Sequence, residues 1–389
     1  MSEAELDTID GDSTRARLRA VAVPTLALLS ALVVGALFII FTDSDTLYAW
    51  ARFFNDPGRA FSRSFNIVWD SYAALFMGAV GSPRAVSETL TLTVPLALAG
   101  LSVAFAFRGG LFNIGASGQI LMGTVFAGFV GFIFDLPPVI HLPLAILAGF
   151  VGGALWAGIA GVLRATTGAH EVITTIMLNF IALRLLDWLL TTSAFLPAGR
   201  FNPVSKEVHS SARLPRFTSD LRVNAGILVA IAVVVAIWWI LDRSTFGFQV
   251  KALGLNADAA RYAGMRTALL IIATMALAGG LAGLAGASVV LGITPLVTGG
   301  LSATGYDAIA VALLGRSHPV GVLFAALLFG GLQAGALNMQ AETATPSDIV
   351  TIIQALIIVF VAAPELVRAI YRVKAARSDT PTFTANWGK

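Results

Sequence analysis

The chain has 389 residues, 57% hydrophobic and 12% charged, with a mean hydropathy of +0.83 and a formal net charge of +3. Soluble domains carry about 25% charged residues, so this depletion, with its long charge-free runs, excludes a soluble enzyme and marks a polytopic membrane protein. The small positive excess suits basic residues at membrane edges better than nucleic-acid binding, and the absence of cysteine excludes disulfides, thiolate metal sites and a cysteine nucleophile.

In a bilayer every backbone N–H and C=O must be satisfied within its segment, so each apolar run reads as a helix. The runs are too long and too continuously apolar for the alternation of an outer-membrane barrel. The expected fold is all-α: a polytopic helical bundle of about 8–10 transmembrane segments, some of them broken or half helices.

In chain order, a polar cytoplasmic tail (1–20) with Arg15, Arg17 and Arg19 precedes a first span, Val21–Thr42. That run is too long for a signal-peptide core and no small-residue cleavage site follows, so it reads as a retained helix. The mixed stretch 43–88 reads as an external loop whose section Ile67–Val80 is amphipathic and lies on, or dips into, the membrane. Further spans are expected at Thr89–Phe107, Gln119–Phe134, Pro138–Leu163 and Val172–Thr192. After a second external loop (193–224) come Ala225–Leu241, Thr267–Ile293, Pro319–Asn338 and Ile349–Val367. Tyr306–Leu314 is too short to cross about 30 Å of hydrocarbon at 1.5 Å per residue. It reads as a half-helix broken at Gly299-Gly300. The transmembrane domain therefore covers 21–367, and 368–389 is a second cytoplasmic tail. Lysine and arginine placement favours this orientation moderately.

Between two of the most apolar stretches lies a polar island, 242–266 (DRSTFGFQVKALGLNADAARYAGMR), on the cytoplasmic side. Leu255–Tyr262 can form two helical turns, with Asn256 as N-cap after Gly254 and with Gly264 placed to end it. Ala259, Ala260 and Ala263 keep it slim. So short a helix is marginal alone and makes sense if a partner holds it.

Small residues recur at four-residue spacing in Gly149-Gly153-Ala157-Gly161, Gly279-Gly283-Ala287 and Gly331-Gly335. On helices these form flat stripes for close packing. The segment Arg108–Gln119 interrupts two apolar runs with four glycines. It is either a tight cytoplasmic turn or a broken helix re-entering the bundle, where Phe112, Asn113 and Gln119 would border a solute pathway. Thr175 and Asn179 share one face of the next span. They contact either a neighbouring helix or the solute, as do Gln333 and Asn338 and, with less support, Gln354. Arg184 and Asp187 sit three apart and can pair.

No catalytic residue and no metal site is expected. GxxxxGK[ST] is absent, and the four histidines, His141, His170, His209 and His318, are scattered. Carboxylates are scarce within the spans, which argues against a self-contained ion-coupled carrier and for an external energy source. The chain moves something, or helps to, rather than converting it.

Three blocks in order, FRGGLFNIGASGQILMG, HEVITTIMLNFIA and ALGLNADAARYAGM, resemble the permease subunits of bacterial ABC importers. The type is the nucleoside and simple-sugar permeases of the branched-chain amino acid/ribose class, and the resemblance runs from about Ser87 to Arg368. It implies import of a small polar solute, nucleosides before simple sugars or branched-chain amino acids. The implied partners are a cytoplasmic ATPase chain that binds the ATP and magnesium, a second permease that is a copy or a paralogue, and an extracytoplasmic substrate-binding lipoprotein. The implied location is the bacterial cell membrane, with both termini cytoplasmic and no cofactor in this chain. The island would be the coupling helix, gripped at Gly254, Asn256, Ala260, Arg261, Tyr262 and Gly264.

Overall fold

A computed structural model describes residues 25–300 and 303–372. The expected tail over 1–20 and the part of the second tail beyond Arg372 lie outside the described residues, as does the start of the first span. The described chain is built of helices: α1 (Thr25–Thr42), α2 (Ser44–Ala51), α3 (Pro57–Val80), α4 (Pro83–Arg108), α5 (Ala116–Ile133), α6 (Pro138–Thr167), α7 (Glu171–Leu189), α8 (Gly226–Arg243), α9 (Thr245–Leu255), α10 (Ala257–Tyr262), α11 (Thr267–Gly292), α12 (Thr304–Leu314), α13 (Pro319–Thr343), α14 (Asp348–Ala362) and α15 (Pro364–Tyr371). Eight of them, α1, α4, α5, α6, α7, α8, α11 and α13, are long and apolar enough to cross a membrane. The chain is an all-α, multi-pass membrane protein.

The described residues divide into two compact units, 25–69 with 345–372, and 70–344. In the first, Asp43 caps α2 through the Thr46 amide, and Trp50 donates to Ser64 Oγ at 2.9 Å. Trp50, Phe53 and Phe61 form an aromatic cluster. The expected loop over 43–88 is instead α2, α3 and the head of α4. Ile67–Val80 is the second half of α3, a 24-residue helix opened by Pro57. Its first half read as loop because Arg59 and Arg63, on its exposed polar face, break the apolar run. The expected span Ile349–Val367 is also two helices, because Pro364 starts a new one after Ala363.

In the second unit α11 is central. It lies against α4, α5 and α6, while α4 lies against α11, α12 and α13. The halves α4–α6 and α11–α13 thus exchange equivalent contacts. Arg108, at the end of α4, stands beside Gly254 of the island, and α11 begins just after the island. The halves therefore run in opposite directions, as in an inverted repeat.

The small-residue stripes make these contacts. A Cβ on Gly153 or Gly279 would run into the other's carbonyl, and one on Gly283 into the Gly149 carbonyl. On α13 a Cβ at Gly335 would run into the Leu75 carbonyl of α3. Backbone meets backbone here, the close approach that helix association in lipid rewards.

The loop 193–224, expected outside the membrane, is folded into the bundle. Val208 N donates to Pro295 O at 2.9 Å, Leu214 N to Leu291 O at 2.8 Å, and His209 N to Gly131 O at 2.9 Å. Val208 and Ala212 are fully buried.

Gly153→Val should lower the stability of the detergent-solubilised protein by about 3 kcal/mol or more, since overpacking costs 1–3 and backbone cannot yield. Gly158→Ala, where a Cβ meets nothing within 4 Å, should leave the melting temperature unchanged or raised. Thermal unfolding of the two variants side by side checks this.

Candidate functional site: a broken-helix centre and a capped surface helix

The non-helical segment Gly109–Gly115 links α4 to α5. Its glycines allow it: Gly110 has φ +69°, and a Cβ there would press on Gly254. Two amide side chains, Asn113 and Asn179, bond backbone groups at and just beyond the break, and a third, Gln119, holds Asn113. Asn113 and Gln119 exchange two hydrogen bonds, Nδ2 to Oε1 and Nε2 to Oδ1, each 2.9 Å. Asn113 Oδ1 also accepts the Gly115 amide at 3.0 Å. From α7, Asn179 Oδ1 accepts Gly118 N at 2.8 Å, and its Nδ2 donates to Ile114 O at 3.0 Å. All three side chains are buried.

The structure therefore brings Asn113, Gln119 and Asn179 together, as a clamp on the break rather than as an open lining. Thr175 is fully buried and returns its hydroxyl to Glu171 O at 2.7 Å. Phe112 packs on Phe107 at a tilt of 31°, with ring centroids 4.8 Å apart. Buried Glu171 meets Arg164 at 3.3 Å, in the first turn of α7 where negative charge is favoured. Asn338 stands apart from this group. It donates to Ala74 O at 2.8 Å and to Glu342 at 3.1 Å. Arg184 and Asp187 pair at 3.3 Å, as expected, on the exposed face of α7.

Gln333 has a partner that sequence reasoning overlooked. Its Nε2 donates to Asp307 Oδ2 at 3.0 Å. Asp307 lies in the first turn of α12, the half-helix. The break before α12 starts at Ile293, earlier than the expected Gly299-Gly300, although Gly300 does take a positive φ of 115°. The heads of α5 and of the half-helix α12 meet, since Gly305 of α12 packs on Ser117 of α5. A carboxylate inside an apolar segment was the available signal. Its pairing with Gln333 is invisible to local spacing, because the two lie on different helices.

The island holds two helices, not one. Leu255 ends α9, and Asn256 (φ −161°, ψ 108°) turns the chain and caps α10, accepting from Asp258 N at 3.0 Å and Ala259 N at 2.9 Å. Gly264, φ +81°, ends it. Two of the six expected grip residues face inward. Ala260 is buried, and Gly254 is wedged against Arg108 O and Gly110. Arg261 is exposed, Tyr262 is 93% exposed and Leu255 77%. Among the described residues no cluster could hold a metal ion.

Broken helices meeting inside an apolar bundle, with a helix-bearing polar segment at one end, define a membrane transport component. Residues 85–362 match the family described as branched-chain amino acid transport system / permease component, and the chain belongs to it. It is 39% identical to the guanosine ABC transporter permease protein NupP of Bacillus subtilis, over 90% of this chain and 96% of that one. It is 37% identical to the nucleoside ABC transporter permease protein NupB of Lactococcus lactis, over 82% and 90%. It is 34% identical to the glucose ABC transporter permease protein TsgB13 of Haloferax volcanii, over 91% and 90%.

Asn113→Ala and Gln119→Ala should each cost about 1–3 kcal/mol, because each leaves a buried amide unpaired. The double variant should cost clearly less than the sum of the two. A double-mutant cycle read by denaturation of the purified permease checks this.

Proposed function

We propose that this permease is the membrane-spanning subunit of an ATP-driven importer of nucleosides. The observation that carries the reading is α10, a capped helix whose Ala260 is tucked in while its Arg261 and Tyr262, and Leu255 at the end of α9, stand outward. Exposed large side chains on a rigid base suit a docking partner. With no nucleotide-binding loop in the chain, that partner is a separate cytoplasmic ATPase, which binds the ATP and magnesium. ATP binding and hydrolysis move α10, and the permease pair rocks to alternate access.

A second permease, copy or paralogue, completes the pathway. A substrate-binding lipoprotein delivers the solute from outside. The chain sits in the bacterial cell membrane with the island and both termini cytoplasmic, in keeping with Arg108, Arg243, Lys251, Arg261, Arg266 and Arg316 gathering at one end. Nucleosides are favoured by the two relatives named for guanosine and nucleosides. The glucose relative supports simple sugars as a second reading, and competition of guanosine uptake by glucose separates the two.

Replacing Leu255 and Tyr262 together by Glu should lower ATP-driven uptake about 30-fold or more, the loss of a hot-spot contact of 2 kcal/mol or above. ATPase should be lost from the purified complex while the permease still accumulates. Uptake and co-purification at wild-type levels would overturn the coupling role of α10.

A further inference from the structure

Asp307 is the acidic side chain for which neither the clamp nor the island has a use. α12 spans about 16 Å, half the hydrocarbon thickness. Asp307 lies eight residues before Gly315, about 12 Å up the helix from that turn. Gly315 itself packs on Gly321, and the neighbouring Ser317 carbonyl accepts from Arg108 at 2.9 Å, at the end of the bundle that carries the island. The carboxylate is therefore held well inside the apolar bundle.

Gln333 of α13 fixes one of its oxygens. The other accepts no hydrogen bond among the described residues, and no basic side chain among them pairs with Asp307. The side chain is half-buried, and its neighbour Tyr306 is 46% exposed. An ionisable group in a membrane segment is costly and ordinarily has a partner. This one is oriented by a glutamine and left with acceptor capacity.

We propose that Asp307, aligned by Gln333, is a solute-recognition group that accepts hydrogen bonds from two adjacent donors on a neutral solute. This rests on the nucleoside reading and deepens it. A nucleoside offers two such pairs, the vicinal hydroxyls of its ribose and, in guanosine, the ring N–H beside the exocyclic amine. A carboxylate accepts both members of either pair, and charge-assisted bonds of this kind are the strong ones. The same negative charge repels phosphorylated solutes, so nucleotides are refused where nucleosides pass.

The test is uptake by the complete transporter of guanosine, adenosine and 2′,3′-dideoxyguanosine, with wild type and Asp307→Asn. Asparagine is isosteric and can keep the bond to Gln333. Guanosine uptake should fall about 10-fold or more, the loss expected for hydrogen bonds to a charged group. If the ribose is the target, adenosine falls equally and the dideoxy compound is unmoved by the substitution. If the base is the target, the reverse holds. Either pattern supports the proposal, and unchanged uptake of all three overturns it. Wild type that imports none of them overturns the nucleoside reading instead. Should Asp307→Asn fail to accumulate, Gln333→Met releases the carboxylate. It should raise KM for guanosine several-fold with kcat retained, and an unchanged KM overturns the proposal.

Discussion

The segment Gly109–Gly115 runs without a helix between two apolar helices, so its backbone groups must find partners inside the protein. Water is scarce at that depth, and an unmade bond to a buried group costs about 1–3 kcal/mol. Asn113, Gln119 and Asn179 answer this demand together. Much follows from the clamp. It fixes where α5 begins, it binds α7 to α5, and it lets the head of α5 meet the head of α12 at Ser117 and Gly305.

The clamp also decides which polar groups remain for a solute. An amide in an apolar helix reads equally well as a pathway contact or as a structural bond. Here geometry assigns Asn113, Gln119 and Asn179 to structure, and Asn338 to the α3 carbonyl at Ala74. What is left is the pair that the sequence concealed, Asp307 with Gln333. These residues lie on different helices, and their meeting depends on the hairpin between α12 and α13. Pattern reading finds neighbours at three or four residues, not across a turn.

The legible features were local. The two turns of α10, its Asn256 cap and its Gly264 stop are written in consecutive residues. The glycine stripes at four-residue spacing announced close packing on α6 and α11, because spacing alone defines a helix face, but not that the two helices meet. α3 was legible only in its amphipathic second half. Arg59 and Arg63 spoil the hydropathy of the first, and the packing of the second against Gly335 and Asn338 is remote in sequence. Likewise Ala260 and Gly254 looked presentable to a partner because they are small, whereas smallness here serves contacts inside the chain.

Gly254 has the larger consequence. It seats the foot of the island on the Arg108 carbonyl and on Gly110, backbone against backbone. Flexible side chains absorb a small displacement, but two backbones in contact cannot, since neither has atoms to move aside. Under the coupling role proposed for α10, a displacement passed on by α9 would reach Gly110, within the broken segment. From there the covalent chain leads through Asn113 to the amide clamp, and through Ser117 to Gly305, two residues from Asp307. The contact thus falls on the part of the bundle whose backbone is not held in a helix.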